Sequence, residues 1–138
     1  MRPTKKEREL IFKKYEGHCA YCGCELQKGY HIDHLEPVLR EWWKKGSPMY
    51  KPENDTKSNL MPSCPSCNIN KHSLSLENFR KLIENFIVSL NKNSTQYKIA
   101  KRYGLIIETK IEVVFYFEEY EKIYKHNNDP TKPWNFRK

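Results

Sequence analysis

The sequence is short of apolar residues. Only 38% of its 138 residues are hydrophobic, and the mean hydropathy is −0.89. No apolar run approaches the ~20 residues that a helix needs to cross a bilayer, which argues against a helical membrane protein. The basic start Met1-Arg2-Pro3-Thr4-Lys5-Lys6 is not followed by an apolar stretch, so it does not read as a secretory signal. There is no internal repeat. An even set of cysteines is also missing: the five fall into two tight clusters, a poor basis for a disulfide framework. Aromatic residues make up 13%, too many for a disordered chain. What is left is one domain, long enough to bury about two thirds of its unfolded surface but with a thin apolar core.

The net charge is +8. The first 104 residues hold 19 Lys/Arg and 11 Asp/Glu, whereas residues 105–138 hold six of each, so the whole excess lies in the first three quarters. A localised basic surface suits a polyanion such as nucleic acid, and equally a well-solvated surface. Charge alone does not choose between them.

The cysteines carry more information. Cys19-x-x-Cys22 and Cys64-x-x-Cys67 are two turn-like pairs, with Cys64 42 positions after Cys22. Two residues between thiolates let both sulfurs reach one ion at about 2.3 Å, and two such knuckles complete a tetrahedral structural zinc site. Cys24 reads as a free thiol beside the knuckle, with a place as ligand in exchange for Cys22 as the alternative, and His18 reads as a surface histidine, with replacement of a cysteine as the alternative. A structural zinc contributes on the order of 10 kcal/mol to folding, which offsets the thin core. Reduced thiols also favour an intracellular, cytoplasmic setting.

Along the chain, residues 4–15 read as a short helix ended by Gly17. Residues 29–34 and 59–62 read as short strands. Between them, residues 36–58 form a long irregular connection with a helical turn over 40–45. A helix starts near Asn68. Ser75 caps another whose apolar face runs through Leu76, Phe79, Leu82, Ile83, Phe86 and Ile87. A short helix covers 97–103. Residues 106–117, rich in Ile, Val and Phe, read as one or two strands. Residues 126–138 read as a loose tail.

Between the knuckles lies His31-Ile32-Asp33-His34. Neighbours in a strand point to opposite faces, but at a strand end Asp33 and His34 can border one cleft. Asn68 and His72 are four apart, which puts both on one helix face. A carboxylate, an amide and an imidazole can then ligate a hard cation while His34 stays free to take a proton. That is the equipment of metal-assisted phosphodiester hydrolysis.

Asp33-His34, Asn59 and Asn68-x-x-x-His72, set within the two knuckles, closely resemble the HNH endonucleases, in particular the zinc-bearing type common in bacteria and their phages. The strings HIDHLEPV, NLMPSCPSCNINK and LSLENFRKLI carry the likeness over about residues 15–83. It is weaker over 84–120, where YKIAKRYGLI and FYFE are similar to the C-terminal part of small phage-type members. The resemblance implies an α+β fold: a ββα-metal (His-Me finger) core stapled by the Cys19, Cys22, Cys64, Cys67 zinc site, with flanking helices and a C-terminal β segment. Residues 1–125 then form one nuclease domain, with residues 84–125 accessory.

By position, the resemblance makes His34 the general base and Asn59 the residue that holds the base loop. It makes Asp33, Asn68 and His72 the ligands of a catalytic Mg²⁺ or Mn²⁺, since oxygen ligands suit hard cations. DNA, most naturally double-stranded, is the implied substrate. One ββα unit reaches one strand, so a monomer nicks and a double-strand break needs a homodimer or two events. Lys71, Arg40, Lys44, Lys45 and Arg80 are candidate nucleic-acid contacts, the loop lysines lying beside Trp42 and Trp43. His31 reads as a structural or DNA-contacting residue. The rival reading is a non-catalytic zinc module that binds nucleic acid; it explains the knuckles and the charge but not the Asp-His, Asn and Asn-His set.

Overall fold

The computed structural model describes residues 2–41 and 43–127. The first helix, α1 (Lys5–Lys13), starts at a reciprocal cap: the Thr4 hydroxyl accepts from the Glu7 amide, and the Glu7 carboxylate accepts from the Thr4 amide. The chain turns out of α1 through Gly17, at φ +77°, where a Cβ would stand 3.0 Å from the Phe12 ring. It then enters the first knuckle. The Ala20 amide donates to the Pro62 carbonyl at 2.9 Å, which fastens that knuckle to the second strand.

Strand β1 (His31–His34) pairs antiparallel with β2 (Leu60–Ser63); Asp33 stands opposite Met61 and His34 opposite Leu60. The connection between them is irregular apart from two short 3₁₀ turns, Pro52–Asn54 and Lys57–Asn59. The helical turn expected over 40–45 is a single tight turn, Lys44 amide to Glu41 carbonyl, 2.9 Å. Trp42 lies outside the described residues. After β2, Cys64 caps α2 (Pro65–Lys71), with Pro65 at the first helical position where its missing N–H costs nothing. The hairpin and α2 thus form the ββα unit.

Ser75 caps α3 (Leu76–Glu84). The apolar face expected to run unbroken to Ile87 stops at Asn85. Phe79 is fully buried, but Phe86 and Ile87 open a new helix, α4 (Phe86–Asn93), and are exposed. Helix α5 (Thr95–Arg102), capped by Ser94, follows. The strands expected over 106–117 are absent: residues 106–115 are irregular and α6 (Tyr116–Asn127) takes over. Composition suited a strand, but among the described residues no sheet edge accepts it. Instead the amides of Tyr116 and Phe117 donate to Tyr21 and Ala20 carbonyls at 3.0 and 2.9 Å. The C-terminal β segment is therefore corrected to a strap that leads into a helix. Residues 126 and 127 of the expected tail close α6, and 128–138 lie outside the described residues.

The architecture is mixed α+β. Its core joins the knuckle, the hairpin, α3 and the strap through Tyr15, Tyr21, Met61, Phe79, Phe115 and Tyr116. Phe79 stacks on Phe115 at 5.5 Å and meets the Tyr21 ring edge-on at 5.6 Å; such aromatic pairs add to their area burial. Among the described residues no helix is long and apolar enough to cross a membrane.

Arg80 locks this core. Its guanidinium donates to the Val113 carbonyl at 2.6 Å and to both carboxylate oxygens of Glu118, and it lies 4.7 Å from the Phe115 ring centre. Its bonds to Glu118, then Glu77, push an already high pKa further up. The expected phosphate contact is corrected accordingly: the side chain is 16% exposed and committed to the strap. Arg80→Met is expected to cost about 2 kcal/mol, the worth of a charged hydrogen bond whose partner is left behind. Chemical denaturation checks this, and DNA affinity measured on the folded variant should not change.

Candidate active site

Asp33 and His34 leave the end of β1 in opposite directions, as strand geometry requires, yet both line a cleft of about 400 Å³ between the hairpin, the following loop and α2. Arg40, Asn68 and His72 share that cleft. The spacing expectations therefore converge in space.

Asp33 is 9% exposed, and one of its oxygens is taken. Oδ2 accepts from the Tyr21 hydroxyl at 2.5 Å and from Lys71 Nζ at 3.0 Å. Burial, and then the charge and hydrogen bond of Asp33, push the Tyr21 phenol far above its ordinary pKa, so it stays a donor. Among the described residues Oδ1 accepts no hydrogen bond and is the oxygen left for a cation. Lys71 also donates to the His34 carbonyl at 2.9 Å and is wholly buried. This corrects its assignment as a phosphate contact. A buried ammonium needs partners, and it has them beneath the cleft, where it fixes the backbone of one functional residue and the carboxylate of the other.

His34 Nε2 lies 2.9 Å from Asp55 Oδ1. An ionised carboxylate only accepts, so this contact assigns a proton to Nε2 and leaves the Nδ1 lone pair available in the neutral ring. Asn59 holds the loop after His34 from both sides. Its Oδ1 accepts from the Glu36 amide at 3.0 Å, and its Nδ2 donates to the carbonyls of Glu36 at 2.8 Å and Asn54 at 2.7 Å. The Leu35 amide completes the clasp on the Asn59 carbonyl at 2.9 Å.

On α2, Asn68 Nδ2 is 2.7 Å from His31 Nδ1. With His31 accepting, the amide oxygen of Asn68 is left for another partner. His72 is not inside the helix: it is the residue that ends it, at φ +48° and ψ −124°. This left-handed region is unusual for a side chain and marks a strained position beside the cleft. Its amide still bonds the Asn68 carbonyl at 3.0 Å, so the one-turn spacing holds. Arg40 is exposed at the cleft rim; Lys44 and Lys45 are exposed on the connecting loop.

Beneath the hairpin the thiols converge. The sulfurs of Cys19, Cys22, Cys24 and Cys64 all lie within 4.8 Å of one another. Sulfurs bound to one zinc at about 2.3 Å stand about 3.8 Å apart, and Cys22 and Cys64 are 3.8 Å apart. The donor set thus fits a structural zinc. Cys24 belongs to the group, contrary to its reading as a bystander. Cys67 adjoins it: its thiol bonds Cys19 and Cys22, and its amide donates to Cys64 Sγ at 3.4 Å. Hydrogen bonds from Cys22, then Cys67, pull the Cys19 thiol strongly toward thiolate. His18 is not part of the group; it stacks on Tyr116 at 5.5 Å.

Residues 19–74, which carry both knuckles, the hairpin and α2, match the family model described as HNH endonuclease. Over these residues the chain is similar to the HNH endonuclease family. No curated protein and no solved structure matches the chain. The HNH match implies a nuclease function and a nucleic-acid substrate. The matched HNH segment does not include Tyr15, Phe79 or the strap that completes the core around it. Two residues of the candidate site, Asp55 and Tyr21, escaped the sequence reading, and a third, Lys71, was read with the wrong partner. Asp55 carries no local signal in an irregular loop. Tyr21 lies inside a knuckle and reads as filler. Lys71 had a signal, since it sits three residues after Asn68 and shares its helix face.

Proposed function

We propose that the protein is a divalent-metal-dependent DNA endonuclease that hydrolyses phosphodiester bonds with His34 as general base. The observation that carries this reading is the His34–Asp55 pair at 2.9 Å, on the same cleft as the free oxygen of Asp33 and the amide of Asn68. His34 takes the proton of the attacking water at Nδ1, and Asp55 stabilises the imidazolium that results. Asn59 fixes the loop that follows the base, so the imidazole keeps its aim. Asp33 Oδ1, the Asn68 amide oxygen and the His72 imidazole are the ligands for the catalytic ion. Oxygen donors favour Mg²⁺ or Mn²⁺ over zinc. The ion, when bound, supplies positive charge to the scissile phosphate and the leaving oxygen. Arg40 at the rim, with Lys44 and Lys45, tracks the phosphate backbone.

Supercoiled plasmid incubated with the protein and Mg²⁺ or Mn²⁺ should be nicked, and chelation should stop the reaction. Asp33→Ala should lose both the cleavage and the binding of Mn²⁺, followed by the electron paramagnetic resonance of the free ion. An intact plasmid with every divalent ion tried, or an Asp33→Ala protein that binds Mn²⁺ as the wild type does, sinks the assignment.

A further inference from the structure

The strap between α5 and α6 runs without a pairing partner among the described residues. From Ile106 to Phe115 it runs with neither bend nor turn. Among the described residues, no backbone amide or carbonyl from Ile106 to Glu112 has a hydrogen-bond partner. Seven consecutive unpaired peptide groups are an open edge, which is what another strand adds to.

The side chains give the edge a polarity. Glu108 faces inward, accepting from Asn91, from Tyr97 Oη at 2.9 Å and from Lys101 Nζ at 3.0 Å. Alternation then turns Leu105, Ile107, Thr109 and Ile111 outward, up to Val113, which packs against the core. Leu105, Ile107 and Ile111 are 80%, 87% and 76% exposed. Large aliphatic residues at such exposure, in register along an unpaired edge, are a stripe waiting for cover.

The segment complements itself. Laid antiparallel to a copy of itself about Thr109, Ile107 faces Ile111 and Thr109 faces its counterpart. On the other side Glu108 faces Lys110. Opposite charges and β-branched residues directly across are the favourable cross-strand pairs. Moving the axis by one residue sets Glu108 against itself in one direction. In the other it sets Lys110 against itself and Glu108 against Glu112. The like-charge pairs penalise both of these shifts relative to the Thr109 register.

We propose that this edge pairs with the same edge of a second copy, forming a two-stranded antiparallel ribbon with its two-fold axis at Thr109. Taken with the nuclease reading, such a homodimer carries two clefts, the number needed to address both strands of a duplex. The pairing itself does not depend on catalysis.

Sedimentation equilibrium of the full chain should show a monomer–dimer equilibrium. Replacing two outward residues, Ile107→Lys with Ile111→Lys, should leave a monomer whose melting curve matches that of the wild type at concentrations where it too is monomeric, since both side chains are exposed in the monomer. A cross-link tests the register. Thr109→Cys in the zinc-loaded protein should form a disulfide-linked dimer under mild oxidation, because directly opposed residues bring their Cα atoms to about 4.5–5.5 Å. Lys110→Cys should not, because its counterpart lies diagonally, beyond the ~7 Å limit for a disulfide. A monomer at every concentration overturns the proposal, whether the edge is left open or is covered by residues 128–138 of the same chain. So does a dimer that survives the double lysine substitution, or equal cross-linking at 109 and 110.

Discussion

His34→Ala is expected to lower the rate of plasmid nicking by about 10²–10⁴-fold, the contribution of a positioned general base, without unfolding the protein. The second half of that expectation follows from the packing. The His34 side chain is 22% exposed and ends the strand rather than filling the core. Its carbonyl, which Lys71 holds, and its place opposite Leu60 survive the substitution. Added imidazole should restore part of the activity, because the space vacated opens to the cleft. Asp55→Asn separates the base from its orienting partner. The amide oxygen still accepts from Nε2, but the negative charge opposite the imidazolium is gone. A loss of about 10–100-fold, as for other outer-shell partners of a reactive group, is expected. Single-turnover cleavage at saturating metal measures both. If His34→Ala cuts as fast as wild type, the base is elsewhere; if Asp55→Asn is silent, the 2.9 Å contact does not orient the ring.

The largest effect on stability should come from the thiols. Cys64→Ser is expected to remove stoichiometric zinc and to leave the chain unfolded or molten, since a structural zinc site is worth on the order of 10 kcal/mol, as much as the whole net stability of a small domain. Cys19→Ser and Cys22→Ser should do the same. Five sulfurs crowd a centre that takes four. That surplus predicts an asymmetry: Cys24→Ser alone and Cys67→Ser alone each keep one zinc per chain, because the other sulfur fills the vacancy, while the double variant loses it. Zinc content by atomic emission and melting by circular dichroism decide this. Loss of zinc in either single variant would show a fixed ligand set, with no spare.

Much of the site could be read from the chain because its parts are local. The knuckles are defined by a spacing of two, the hairpin by two short runs, and Asn68 and His72 by one helical turn. These features need no knowledge of what lies far away in sequence. What escaped depends on such knowledge. Whether Lys71 touches a phosphate or a carboxylate turns on where β1 lies against α2. Whether Arg80 faces DNA or the core turns on the strap, more than thirty residues later. The composition of residues 106–117 was right for a strand, but a strand is a pairing, and a single chain's pattern does not say who pairs with it. The break at Asn85 is of the same kind: the apolar period runs on through Phe86 and Ile87, but the packed face ends with Leu82 and Ile83.

Phe115, Tyr116 and Phe117 are buried against residues that a ribosome delivers some 95 positions earlier, around Ala20 and Tyr21. A nascent chain that has reached Gly104 already holds both knuckles and every cleft residue, yet one wall of its interior is still unmade. Contacts of such long sequence separation close late. On the nuclease reading, competence to cut is therefore tied to synthesis of the strap through Phe117, and a chain terminated before it is left with an exposed aromatic interior, a target for quality-control proteases.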